Sequence, residues 1–144
     1  MENILKVSGL TKRYDGFTLN QVGFDLPGGS IMGLIGENGA GKTTTLKLIL
    51  GLIAGDSGEI TLFNRKQTGE DRAIKEQVGV VLDNSFFSEY LTPAEISSTL
   101  RHFYKSFDLR RYQQWLERFS LPSRKPVKEF SRGMRMKLAL SSAL

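Results

Sequence analysis

Nine consecutive residues, Gly36-Glu37-Asn38-Gly39-Ala40-Gly41-Lys42-Thr43-Thr44, restrict what this chain can fold into more than any other stretch. They match G-x-x-x-x-G-K-[ST], the P-loop pattern, and stand in a suitable local context. The apolar run Ile31-Met32-Gly33-Leu34-Ile35 precedes them and reads as a buried parallel strand. Leu46, Leu48, Ile49, Leu50 and Leu52 follow with helix-like spacing. Glycines let the backbone turn so that several N–H groups converge on phosphate oxygens. A helix opening near Gly41 adds the positive end of its dipole. Lys42 supplies a mobile charge for the outer phosphates, and the Thr43 hydroxyl is placed to ligate Mg²⁺. Gly36, Asn38, Gly39, Ala40, Gly41, Lys42, Thr43 and Thr44 are therefore the candidate nucleotide-phosphate residues. A plain glycine turn between strand and helix is the simpler alternative, and it leaves the Lys-Thr pair unexplained.

Composition narrows the remaining classes. With 144 residues, 40% hydrophobic and 24% charged, the chain can bury a core of ordinary size. No apolar run reaches membrane-spanning length, and Met1-Glu2-Asn3 has no signal-peptide character. The absence of cysteine excludes disulfides and thiolate metal sites. The one histidine, His102, reads as an exposed helix residue. The net charge of +5 is uneven: residues 1–83 carry 9 Lys/Arg against 10 Asp/Glu, and residues 84–144 carry 11 against 5. That asymmetry fits an anionic partner and equally a solvated basic face.

Glycine divides the chain in the same place. Twelve of the fifteen glycines lie in residues 1–58, so a turn-rich, sheet-forming first part is expected before a helical second part. Val22, Phe24 and Leu26 alternate as in a half-buried strand, and Pro27-Gly28-Gly29 turns the chain. Asp56-Ser57-Gly58 makes a turn before the strand-like Glu59-Ile60-Thr61-Leu62-Phe63. The short run Val78-Gly79-Val80-Val81-Leu82 reads as a strand covered on both faces. Thr92-Pro93-Ala94-Glu95 then opens a helix with a capping box. Asp108 caps the next helix, Leu121-Pro122 closes it, and Ser131 caps the last.

The stretch Phe130-Ser131-Arg132-Gly133-Met134-Arg135-Met136-Lys137 resembles the signature of ABC ATPases, commonly L-S-G-G-Q followed by basic and polar residues. Ser131 and Gly133 match its most diagnostic positions, while Phe130, Arg132 and Met134 depart from it. Ser131 stands 89 positions after Lys42, similar to the spacing in transporter-type members, and the resemblance covers essentially all 144 residues.

The resemblance implies an α/β fold: a P-loop NTPase-like core with an antiparallel β subdomain and a helical subdomain. Residues 1–83 would be the β-rich nucleotide-binding part, and residues 84–144 the helical part bearing the signature. It implies ATP and Mg²⁺ as cofactors and two such domains facing head to tail. ATP on one P-loop would be reached by Ser131 and the N–H groups around Gly133 of the other. Tyr14, in Leu10-Thr11-Lys12-Arg13-Tyr14, resembles the aromatic that stacks on adenine, with Phe17 as the fallback. Asp83 stands where the family usually has a glutamine touching Mg²⁺ and water. Phe86, Phe87 and Tyr90 follow it as candidate contacts for a membrane-spanning subunit.

The same resemblance places a strand with an Mg²⁺-binding aspartate, a water-activating glutamate and a sensing histidine after the signature helix. Glu37 and Glu129 stand in the wrong places for that base, so no catalytic residue is assigned, and the chain reads as an N-terminal piece inactive alone. The parent this implies is the ATP-hydrolysing subunit of an ABC transporter of the exporter kind, cytoplasmic and peripheral on the membrane's inner face. A soluble ABC ATPase acting on ribosomes or nucleic acid, and a non-hydrolysing nucleotide-binding module, are the alternatives.

Overall fold

The computed structural model describes residues 2–82 and 87–144. The chain divides into two compact units, Met1–Lys75 and Glu76–Leu144.

The first unit is built on a long hairpin. Strand β1 (Asn3–Tyr14) and strand β2 (Phe17–Pro27) run antiparallel, closed by Asp15-Gly16 with Tyr14 opposite Phe17. Strands β3 (Ser57–Leu62) and β4 (Arg65–Lys66) complete a four-stranded antiparallel sheet of order β2-β1-β3-β4. Period-two alternation buries Leu5 and Val7, and a register shift between Val7 and Leu10 then sends Leu10 to the interior. With Leu19, Ile60 and Leu62, and with Leu48, Ile49 and Ile74 from helices, they form the unit's buried apolar set. Each such side chain contributes about 1.5–3 kcal/mol on leaving water. Helix α1 (Lys42–Ile49) follows the P-loop, and its last turn is held by Gln67, whose Nε2 donates to the Ile49 carbonyl at 3.1 Å. A short helix α2 (Arg72–Lys75) ends the unit.

Two expected strands are not formed. Residues 31–35 and 78–82 have no regular structure, and Ile31 and Ile35 are 101% and 94% exposed. The cause is the nature of a parallel strand, which needs backbone partners from neighbouring strands. Among the described residues no strand is in register with either run. The helix-like reading of Leu46–Leu52 also shortens: α1 ends at Ile49, and Leu46 and Leu52 are exposed.

The second unit is helical, as its composition indicates. Helix α3 (Pro93–Phe103) opens on a full capping box: Glu95 N–H donates to Thr92 Oγ1 at 3.3 Å, and Thr92 N–H donates to the Glu95 carboxylate at 2.8 Å. Helix α4 (Leu109–Arg118) is capped by Asp108, which accepts from the Arg111 N–H at 3.0 Å. A single 3₁₀ turn (Val127–Glu129) leads into helix α5 (Arg132–Ala143). Ile96, Tyr112, Leu116, Leu121, Val127, Phe130 and Leu138 form the core between them. Buried Tyr112 donates its hydroxyl to the Pro93 carbonyl at 2.9 Å, fastening α4 to the start of α3, and burial pushes its phenol above the ordinary tyrosine range. The backbone of Gly79 rests against Ala143 at the end of α5, so residue 79 belongs with this unit. His102 is exposed near the end of α3, edge-on to Phe103.

Candidate nucleotide site

The P-loop forms as an exposed arch running into α1. Gly36, Asn38, Gly39 and Ala40 lie in the open part, with a turn from the Ala40 N–H to the Glu37 carbonyl at 3.2 Å. Gly39 and Gly41 take φ of +86° and +95°, conformations costly for other residues. Gly41 is also hemmed in, since a Cβ there would stand 2.8 Å from Leu19 Cδ1 and 3.0 Å from Phe17 Cζ. The hairpin end of β1 and β2 is thereby packed beside the base of the loop.

Helix α1 begins differently from α3, α4 and α5. Those three have side-chain caps, from Thr92, Asp108 and Ser131, whereas Gly41 gives α1 none. The N–H groups of its first turn are open to an external acceptor, the requirement for binding an anion. Lys42, half-buried, folds back and donates its ammonium to the carbonyls of Gly36 and Glu37 at 2.6 and 2.7 Å. Its charge is thus held over the loop where phosphate oxygens would lie. Thr43 is exposed, with its hydroxyl available for a cation, and Thr44 is half-buried. Thr45, which the motif does not include, donates its buried hydroxyl to the Gly41 carbonyl at 3.0 Å and so locks the loop to the helix. These features fit a polyphosphate. Among the described residues no cluster of three or more His, Asp or Glu could hold a metal by itself. An Mg²⁺ bound here would therefore share phosphate oxygens and water with Thr43.

Tyr14 is 47% exposed at the hairpin end, with Lys12 Nζ 5.7 Å from its ring centroid. Phe17 is half-buried against Gly41, which occupies it in packing. Asp56 braces this end: it accepts from the Arg13 N–H at 2.7 Å and from Lys12 Nζ at 3.0 Å. The Arg13 N–H and then the Lys12 ammonium hold its carboxyl below the usual range. Nothing in the sequence marks Asp56 for this role beyond its place in a turn.

In the other unit, exposed Ser131 caps α5, accepting from the Met134 N–H at 3.2 Å, and Arg132 and Gly133 are exposed beside it. Met134, which departs from the signature's glutamine, is half-buried against the helical core. Of the aromatic group, Tyr90 is 77% exposed with Lys128 Nζ 5.6 Å from its centroid. Phe87, another of the expected contacts for a membrane-spanning subunit, is half-buried and packs against the helical core. Asp83 and Phe86 lie outside the described residues.

The model of the ABC transporter family matches residues 19–144, from β2 through the P-loop to the end of α5. The chain belongs to the ABC transporter family. The chain is similar to the uncharacterized ABC transporter ATP-binding protein YdbJ of Bacillus subtilis, with 34% identity over 99% of this chain and 47% of that protein. It is 30% identical to the bacitracin transport ATP-binding protein BcrA of Enterococcus faecalis, over 100% of this chain and 48% of that one. Among solved structures, an ATP-binding subunit of an ABC transporter superposes with a TM-score of 0.84 and 27% identity, covering 97% of this chain and 61% of its own. A bacterial ABC transporter cassette solved as a dimer shares the fold, with a TM-score of 0.78, 22% identity and coverage of 97% and 68%. The chain spans about half the length of the curated relatives it matches. No helix among the described residues is long and apolar enough to cross a membrane.

Proposed function

We propose that this ABC chain is the nucleotide-holding part of a transporter's ATP-hydrolysing, energy-coupling subunit, working beneath membrane-spanning subunits in an exporter. The observation that carries this reading is the start of α1. It is the one described helix of eight or more residues without a side-chain cap, it follows two left-handed glycines, and Lys42 is folded over its approach. A polyphosphate would take the open N–H groups of residues 41–44, and Lys42 would pass from the Gly36 and Glu37 carbonyls to phosphate oxygens. Thr43 would hold Mg²⁺, which neutralises phosphate charge. Tyr14 would stack on the base, its hairpin end seated beside the loop through Phe17.

Ser131 and Gly133 would meet the γ-phosphate of ATP held by a second copy or a related domain, the exposed α5 N-terminus supplying the donors. Exposed Tyr90 would contact the membrane subunit, and the domain would sit on the cytoplasmic face of the membrane. The relative named for bacitracin transport supports a transport role. In this reading the chain binds ATP without turning it over, since Glu37, inside the P-loop, and Glu129, ahead of the signature, are not placed to serve as a base. A Mg²⁺-dependent phosphate-release assay alongside a binding titration tests the pair of claims. ATP binding without release is expected, and robust turnover would contradict the assignment of no catalytic base.

A further inference from the structure

Arg135 sits one turn into α5, its backbone N–H donating to the Ser131 carbonyl at 2.9 Å. Its guanidinium makes three contacts. Nη1 meets Glu89 Oε1 at 2.9 Å, Nε donates to the Phe130 carbonyl at 3.3 Å, and Nη2 donates to the Lys128 carbonyl at 3.4 Å. Two backbone bonds tie the same pieces: Lys128 N–H to the Glu89 carbonyl at 2.7 Å, and Val127 N–H to the Leu91 carbonyl at 2.9 Å. Lys128 also reaches over exposed Tyr90.

Charge alone does not account for an arginine here. A cation in the first turn of a helix opposes the macrodipole, and nothing acidic stands in the first turn of α5 to offset it. The offset comes from Glu89, 46 positions earlier. The planar fork of five donors then explains arginine over lysine, because an ammonium could not address two carbonyls and a carboxylate in this layout. The Phe130 carbonyl immediately precedes Ser131, so fixing it sets the angle at which the chain enters the cap.

We propose that Arg135 is a positioning residue for the Ser131 end of α5, making that helix start and the segment around Glu89 and Tyr90 respond as one body. A partner pressing on Tyr90 then shifts the donors around Ser131 and Gly133 through Glu89 and Arg135. This rests on the reading of Ser131 as a phosphate contact and names what controls it.

The test is residue-resolved amide hydrogen exchange on the full chain. Among the described residues Glu89 reaches α5 by its ion pair with Arg135, so Glu89→Ala should speed exchange of the Met134 amide roughly five- to tenfold, the amides of α4 staying unchanged. Arg135→Lys keeps the charge opposite Glu89 but releases both carbonyls, so it should speed Met134 exchange to a similar degree. A simple charge pair would leave Arg135→Lys at the wild-type rate, and that result would overturn the proposal. If Glu89→Ala loosens α4 as well, Arg135→Lys decides, since it leaves Glu89 and its segment intact. Selectively faster Met134 exchange in Arg135→Lys supports the link, and an unchanged rate contradicts it. ATP affinity at the P-loop, measured on the same proteins and on Lys42→Ala, reports separately on the nucleotide reading.

Discussion

The ring of Phe17 lies against Gly41 so closely that a Cβ at Gly41 would stand 3.0 Å from Phe17 Cζ. One contact joins the hairpin that carries Tyr14 to the residue on which the phosphate loop turns into α1. Gly41 is thus required twice, by its left-handed φ of +95° and by the lack of space. Gly41→Ala should cost about 1–3 kcal/mol of stability and weaken nucleotide binding with it. Denaturant unfolding checks the first part. An unchanged midpoint would show that the loop relaxes around a methyl group.

Tyr14 should act through its ring face. Tyr14→Ala should weaken ATP and GTP binding alike, by about 1–3 kcal/mol, whereas Tyr14→Phe should bind as the wild type does. Equal losses in both variants, in a titration with either nucleotide, would rule out stacking.

The Asp56 brace has a pH signature. Its carboxyl is held below the usual range first by the Arg13 N–H and then by Lys12. A depressed carboxylate contributes stability fully above its unfolded value, about 3.9, and loses it as pH falls through the folded value. Asp56→Asn should therefore be less stable than wild type at pH 7, and the gap should close toward pH 3. Denaturation at both pH values measures it, and a gap that widens in acid would reverse the sign of the argument.

Residues 31–35 expose apolar side chains and form no strand pairing among the described residues, an arrangement that recruits other chains. The chain should self-associate, and Ile31→Lys combined with Ile35→Lys should reduce that association. Sedimentation velocity tests this, and a wild-type monomer at all concentrations would count against it.

The parts legible in the sequence are those decided locally. The caps at Thr92, Asp108 and Ser131 were readable because a cap needs only its own side chain and the next turn. The glycine turns of the P-loop and the alternation of β2 are local for the same reason. The apolar runs at 31–35 and 78–82 form no strand, because such a run becomes a strand only when another strand pairs with it. Phe87 faces the core and Arg135 reaches Glu89 through contacts made in three dimensions, and neither contact has a periodicity to betray it. Neither the Thr45 hydroxyl bond nor the Asp56 brace is marked in the sequence, because a threonine in a helix and an aspartate in a turn are ordinary.

The central claim is that the uncapped start of α1, with Lys42 above it, holds the phosphates of ATP. Calorimetric titration of Mg²⁺-ATP into the wild type and Lys42→Ala tests it most directly. Among the described residues the Lys42 ammonium hydrogen-bonds two exposed loop carbonyls, so its loss should leave the unfolding midpoint nearly unchanged. Losing a charge-assisted contact of about 1.5–3 kcal/mol should weaken ATP binding roughly 10- to 150-fold. Equal ATP affinity in the two proteins would contradict the phosphate-cradle account.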